Sequence, residues 1–200
     1  MNEVRLNLYS ETGFDRKEIY RYLGAKEPDV ELKKLVEECI AECEGVSKFG
    51  VCFTQSSVKV DDDIICFDTF EAESRALSKN LCGCEKALIF AATAGIGIDR
   101  LISKYSVISP VKAVIIQAIG AERIESLCDL FNEEMRKKYE SEGYLLKPRF
   151  SPGYGDLPLE KQKDIFSLLD CGKKLGISLN NNLLMSPSKS VTAIIGIYRK

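Results

Sequence analysis

The chain of 200 residues contains neither histidine nor tryptophan. Without histidine there is no Ser-His-Asp or Cys-His catalytic set, no imidazole base, and no His ligand for zinc, haem or a corrin. Chemistry is left to Cys, Asp, Glu, Lys, Arg, Tyr, Ser and the main chain. No run approaches the roughly 18 apolar residues of a membrane-spanning helix. The opening Met1-Asn2-Glu3-Val4-Arg5 has no apolar signal core, so a cytoplasmic location and no membrane association are expected. An excess of positive charge is also missing. The 28 Lys and Arg against 30 Asp and Glu leave a net charge of −2, which argues against a nucleic-acid partner held by bulk phosphate attraction. Repeats, low-complexity stretches and long linkers are absent. With 45% apolar and 29% charged residues, the chain can bury a core, and residues 1–200 read as one domain.

Cysteine is abundant, with eight residues: Cys39, Cys43, Cys52, Cys66, Cys82, Cys84, Cys128 and Cys171. No C-x-x-C pair occurs, and Cys82-Gly83-Cys84 is the one tight spacing. Cys39 and Cys43 fall on the stripe Leu32, Leu35, Val36, Cys39, Ile40, Cys43, one apolar face of a helix. Cys52 and Cys66 lie in strand-like apolar runs. Most of these thiols therefore read as reduced, buried, metal-free packing residues. Cys82 and Cys84 leave open a thiol or metal protein built around them.

Local signals outline the elements. Asp15-Arg16-Lys17-Glu18 reads as a capping box, with Glu18 reaching back and the helix stopping at Gly24. Pro28-Asp29 opens a second helix that ends near Gly45. Residues 46–54 and 58–67 read as a strand pair with Asp61-Asp62-Asp63 as a polar interruption. A short helix spans 73–81, and 87–93 reads as a buried strand turned by Ala94-Gly95-Ile96-Gly97. Ser109-Pro110 starts the longest helix, which the apolar pattern carries to about Tyr139. Pro158 starts another, ending near Gly172 or Gly176. Strands over 177–184 and 191–197 close the chain. Mixed strands without regular βαβ alternation predict an α+β fold with a mixed or antiparallel sheet packed against several helices.

The richest segment is Arg149-Phe150-Ser151-Pro152-Gly153-Tyr154-Gly155-Asp156-Leu157-Pro158. Its prolines and glycines restrict the backbone path. Gly153 permits a positive φ or a close approach to the main chain. Arg149 offers a planar fork for a carboxylate or phosphate, and Tyr154 an aromatic face. The same residues also suit a plain structural turn with Arg149 in a surface ion pair.

Arg149-x-x-Pro152-Gly153-Tyr154, followed by Met185-Ser186-Pro187-Ser188-Lys189-Ser190-Val191, resembles the activation domain of cobalamin-dependent methionine synthase in its short, stand-alone form. Thr192 stands where that family usually has a second serine. Ala94-Gly95-Ile96-Gly97-Ile98-Asp99-Arg100 and the stretch from Ala118 to Glu125 share the likeness, which is best over residues 85–197 and loose before that, around Tyr22-Leu23-Gly24. The resemblance implies an S-adenosylmethionine-binding subunit that supports reductive remethylation of cob(II)alamin. The cobalamin would be held by a separate methionine synthase core, and a flavodoxin-type protein would supply the electron. It implies that Arg149 binds the methionine carboxylate, and that main-chain groups of the 150–156 loop, including Phe150, Pro152 and Gly153, hold the ligand. Tyr154 would lie against it. Glu125 is the candidate for its ammonium group, with Ser126 the alternative if the helix register differs by one. The N-terminal acidic residue that touches ligand in the long enzyme has no match by sequence. A docking or assembly protein for corrinoid methyltransferases that lacks the donor site is the alternative.

Overall fold

The computed structural model describes residues 3–200. Its centre is an antiparallel sheet of β1 (Arg5–Tyr9), β2 (Phe49–Asp61), β3 (Ile64–Phe67), β4 (Glu71–Glu73), β5 (Lys86–Thr93), β6 (Tyr144–Leu146) and β9 (Ser190–Arg199). The spatial order is β4-β3-β2-β5-β9-β6, with β1 beside the first half of β2. A small hairpin, β7 (Ser178–Leu179) and β8 (Met185–Ser186), stands apart. The helices are α1 (Arg16–Tyr22), α2 (Val30–Glu44), α3 (Arg75–Leu81), α4 (Ile96–Ile108), α5 (Pro110–Ser141), α6 (Lys161–Leu169) and α7 (Cys171–Leu175). The α+β expectation holds.

Side chains alternate across the sheet. Along β5, Leu88, Phe90 and Ala92 enter one apolar layer together with α1, α2, α4 and α5. Ala87, Ile89 and Ala91 enter the other, beneath α3, α6, α7 and the loop after Arg149. A strand covered on both faces becomes a continuous apolar run, which is why Ala87 to Thr93 carries no polar alternation. Helix α5 is clamped at mid-length. Phe131 packs on Phe53 and Phe90 with ring centroids 5.1 and 5.0 Å apart. Gly120 lets α5 approach α4 and β9, since a Cβ there would stand 2.8 Å from both Ile98 and the Lys189 side chain.

Several elements depart from the sequence reading. Residues 46–54 and 58–67 are not a strand pair. β2 runs unbroken through Gln55-Ser56-Ser57, because β5 pairs with it as far as Ser57. The hairpin turn lies at the aspartate run, where Asp62 has φ 50°. Helix α4 was not expected, since its N-terminal Gly95 supplies no side-chain cap and Gly97 masks its start. The short strands β1, β4 and β6 are also additions. Helix α6 begins at Lys161 rather than Pro158, and the strand expected over 177–184 shrinks to the two residues of β7. The capping box is half right. Asp15 accepts from the N–H groups of Lys17 and Glu18 at 2.9 and 3.3 Å. Glu18 does not reach back but pairs with Arg21 at 2.6 Å. The Asp15 N–H goes instead to Glu122 on α5, at 3.0 Å.

Candidate functional site

Phe150 forms an antiparallel bridge to Ile194 of β9, with both N–H···O distances 2.8 Å. This pairing fixes the two side chains that flank it. The Phe150 ring is buried in the layer beneath α3 and α6. Arg149 faces α5, where its Nη2 forms an ion pair with Glu125. The pair is open to solvent, with side chains 25% and 43% exposed. Among the described residues, the buried Arg149 Nη1 atom has no hydrogen-bond partner. Nearby on α5, the Cys128 thiol is pushed up to about 12 by burial, so it stays neutral.

The chain then turns tightly. Gly153, at φ 85°, donates to the Leu157 carbonyl at 2.9 Å, and the Tyr154 N–H reaches the Ser151 carbonyl at 3.1 Å. A non-glycine residue would be strained there. Pro152 and Leu157 are buried. Tyr154 is 69% exposed, its ring meeting Phe150 edge-on at 5.4 Å. Asp156 ties the loop down. Its carboxylate accepts from the Ser74 hydroxyl and from the N–H groups of Arg75 and Ala76 at 3.0 and 3.1 Å, at the start of α3. The Ser74 hydroxyl above all, with these N–H groups, holds the Asp156 carboxyl below the ordinary carboxylate range. The turn is therefore held at both ends, by β9 and by α3.

Arg149 and Glu125 are thus brought together, although 24 residues apart. Phe150 and Tyr154 touch each other rather than that pair, and Phe150 spends its main-chain groups on β9. Next to Glu125 lies a cavity of about 250 Å³ lined also by Asp15, Glu18, Arg21, Tyr22, Glu122, Ser126 and Asp129. Its acidic lining is largely engaged: Asp15 caps α1, Glu18 pairs with Arg21, and the buried Glu122 pairs with Arg123. Asp15, Glu18 and Asp129 were not anticipated. Asp15 announced itself only as a helix cap, and nothing local says that α1 packs against α5.

A family model described as vitamin B12 dependent methionine synthase, activation domain, matches residues 54–199. The chain belongs to that family. A crystal structure of the MetH reactivation domain bound to AdoHcy superimposes with a TM-score of 0.75 at 14% identity, over 98% of this chain and 78% of that one. At that identity the likeness establishes the fold. No curated protein matches the chain.

The match to the activation-domain family begins at Thr54, so Asp15 and Glu18 lie outside it. They are carried to the site by a buried anchor on α5. The Glu122 Oε1 atom accepts from Asp15 N–H, Arg123 Nη2 and the Ser126 hydroxyl, and its Oε2 from Arg123 Nε at 2.8 Å. Arg123 donates to the carbonyls of Thr12, at 2.7 Å, and of Gly13, and its guanidinium lies 3.4 Å over the Phe14 ring. Arg123 is 1% exposed, and burial lowers its pKa against the opposing pull of Glu122. Position 123 falls on the buried stripe Ile119, Arg123, Leu127. An arginine on that stripe was the sequence signal that went unread.

The second family motif forms the entry to β9. The Ser188 main-chain N–H and hydroxyl both bind the Asp99 carboxylate, the first at 2.9 Å. Lys189 is buried, and burial lowers its pKa against Asp99. Of the cysteines, Cys66 and Cys82 are exposed and the other six buried. Cys84 is packed so closely on Gly196 that a Cβ there would stand 2.6 Å from its sulfur. Among the described residues, no group of three or more His, Cys, Asp or Glu is placed to hold a metal ion, and no helix is long and apolar enough to cross a membrane.

Proposed function

We propose that this activation-domain chain, working as one unit over residues 1–200, binds S-adenosylmethionine and supports reductive remethylation of cob(II)alamin. The cobalamin is held on a separate methionine synthase core, and a flavodoxin-type protein supplies the electron. When bound, S-adenosylmethionine supplies a methyl group on a sulfonium, which passes to reduced cobalt while the S–C electron pair stays on sulfur. This chain's own part is to bind and orient. Family membership supports the reading, as does the fold shared with a reactivation domain bound to AdoHcy, the demethylated form of the same molecule.

One observation carries it furthest. Arg149 and Glu125 satisfy each other across an open ion pair, while among the described residues a second Arg149 donor, Nη1, makes no hydrogen bond and the guanidinium has the neutral Cys128 thiol as its neighbour. A methionine-like zwitterion can enter by exchange, its carboxylate taking the Arg149 fork and its ammonium taking Glu125, with Ser126 the neighbouring alternative. Asp129, exposed one turn along α5 from Glu125, favours the remaining sulfonium charge. Main-chain groups of the tethered loop beyond Phe150, residues 151–156, and the exposed face of Tyr154 complete the cradle, with cation–π contact available to a positive sulfur. The chain has no histidine to offer cobalt, and none is needed for positioning a methyl donor.

Calorimetric titration of S-adenosylmethionine into the protein and into Arg149→Ala tests the reading. A loss of about ten- to a hundredfold is expected for a charge-assisted bidentate contact. Unchanged affinity would remove Arg149 from the site. In the coupled assay, cob(II)alamin absorbance should decay faster with this protein than without it, given a cobalamin core, S-adenosylmethionine and reductant.

A further inference from the structure

The α4–α5 hairpin carries an apolar surface that the fold does not use. Val107, Ile108, Val111 and Val114 are 84%, 63%, 61% and 61% exposed, all within the eight residues that flank the single-residue link at Ser109. Isolated exposed aliphatics are ordinary, but a contiguous group marks an interaction surface. Helix formation does not call for them, because β-branched residues are poorer helix formers than the Lys, Glu or Gln usual at exposed positions.

The rim of this patch has one sign of charge. Arg100, Lys104 and Val107 recur on the exposed face of α4. No Asp or Glu occurs from Arg100 to Ala121. The acidic groups on neighbouring elements are engaged: Glu38 and Glu42 hold Lys112 at 3.4 Å, Glu42 also binds the Tyr105 hydroxyl, and Asp99 is taken by Ser188. Among the described residues neither Arg100 nor Lys104 forms an ion pair with a carboxylate; the Lys104 ammonium lies 4.7 Å over the Tyr105 ring and adds to the positive field at Glu42.

The patch also points toward the site. Val111, Val114, Gln117, Ala121, Glu125 and Asp129 form the solvent-facing stripe of α5. From Val114 to Glu125 the helix turns close to three full times, so both residues lie on nearly the same face, about 16 Å apart. A partner resting on the patch lies along that stripe, beside the Arg149–Glu125 pair.

We propose that the α4–α5 face docks the cobalamin-bearing methionine synthase core, through a surface on the core that is apolar and rimmed by carboxylates. The inference rests on the function proposed above, which requires a second protein to reach the donor site. Charge complementarity selects an acidic protein surface. A second copy would set the Arg100 and Lys104 rims against each other. A lipid surface is disfavoured because the four aliphatics include no aromatic residue to seat at a membrane interface, and two basic residues, Arg100 and Lys104, fall short of the cluster that holds a protein on anionic lipid.

The test measures binding of the whole protein to a cobalamin-bearing core that lacks its own activation domain, by sedimentation velocity at several salt concentrations. Val111→Glu/Val114→Glu should weaken binding at least tenfold while leaving the affinity for S-adenosylmethionine unchanged. Arg100→Glu/Lys104→Glu, which leaves the aliphatics in place, should weaken it and flatten its salt dependence. Wild-type affinity for the core in both variants overturns the docking face and leaves the proposed function standing. Failure of the wild type itself to bind the core overturns both. Co-sedimentation of the wild type with phosphatidylserine vesicles, abolished by the valine variant, would reassign the face to a membrane. Self-association lost in that variant would reassign it to a second copy.

Discussion

Two ion pairs lie one helical turn apart on α5 and have opposite designs. Glu122–Arg123 is sealed, its side chains 2% and 1% exposed, and the carboxylate and guanidinium are engaged by Thr12, Gly13, Asp15 and Ser126 as well as by each other. Glu125–Arg149 is open, and among the described residues one Arg149 nitrogen has no hydrogen-bond partner. A buried pair stabilises little by itself, but removing one member strands a desolvated charge. A half-exposed pair gains little from its own attraction and can change partners at small cost. The first therefore anchors the N-terminal segment, and the second suits the exchange with an incoming zwitterion.

The sharpest way to break this contrast is Arg123→Ala. It leaves Glu122 buried and unpaired, and a loss of about 3–5 kcal/mol is expected in urea unfolding. Glu122→Gln/Arg123→Met should recover part of that loss; a single variant of near wild-type stability would mean that the anchor is not one. Arg149→Ala, in the open pair, should shift stability by no more than about 1 kcal/mol while weakening S-adenosylmethionine binding by the larger factor given above. A large drop in melting temperature would show that this pair, too, is structural.

A smaller effect concerns pH. Burial pushes Cys39 up to about 11 and Cys43 and Cys128 up to about 12, from an ordinary 9.0. The folded state keeps these protons to higher pH than the unfolded chain does. Their stabilising contribution is therefore complete below pH 9 and is lost between about 9 and 12. Melting temperatures measured across that window should fall, and Cys128→Ala should flatten the fall relative to its own value at pH 7. Equal slopes for the two proteins would take Cys128 out of the account. The smallest effect belongs to a third kind of pair. Arg16–Glu37 on the surface, 51% and 48% exposed at 2.6 Å, should cost at most about 1 kcal/mol when Glu37→Gln removes it, and less in high salt.

Elements with dense local information were legible in the sequence. α2 showed its Pro28-Asp29 start and apolar stripe, α5 its Pro110 start and about seven turns of periodicity, and β5 its unbroken apolar run. The R-x-x-P-G-Y loop and the Met185 to Val191 segment pointed to the activation-domain family, and the family match agrees. What stayed hidden depends on contacts distant in sequence. The polar residues Gln55-Ser56-Ser57 look like a break until β5 pairs across them. The backbone of Asp15 binds Glu122 from 107 residues away. Asp156 read as part of a turn, and only the fold reveals that it closes the N-terminus of α3. Arg149 and Glu125 were both named as ligand groups, but that they neutralise each other depends on the Phe150–Ile194 bridge.

The order of the strands also governs how the molecule can be made. β9, the last strand, lies between β5 and β6 in the interior of the sheet, and residues 190–197 pair with the whole of 86–93. During synthesis, β2 and β5 can form their hairpin-like pairing while half the chain is still to come, but one edge of β5 stays bare until β9 leaves the ribosome. For that interval Ile89, Phe90 and Ala91 sit on an open, apolar edge, the kind of surface that captures a stray strand. A chain that lacks β9 thus leaves this edge of β5 uncovered, and the pairing of residues 190–197 is what closes it.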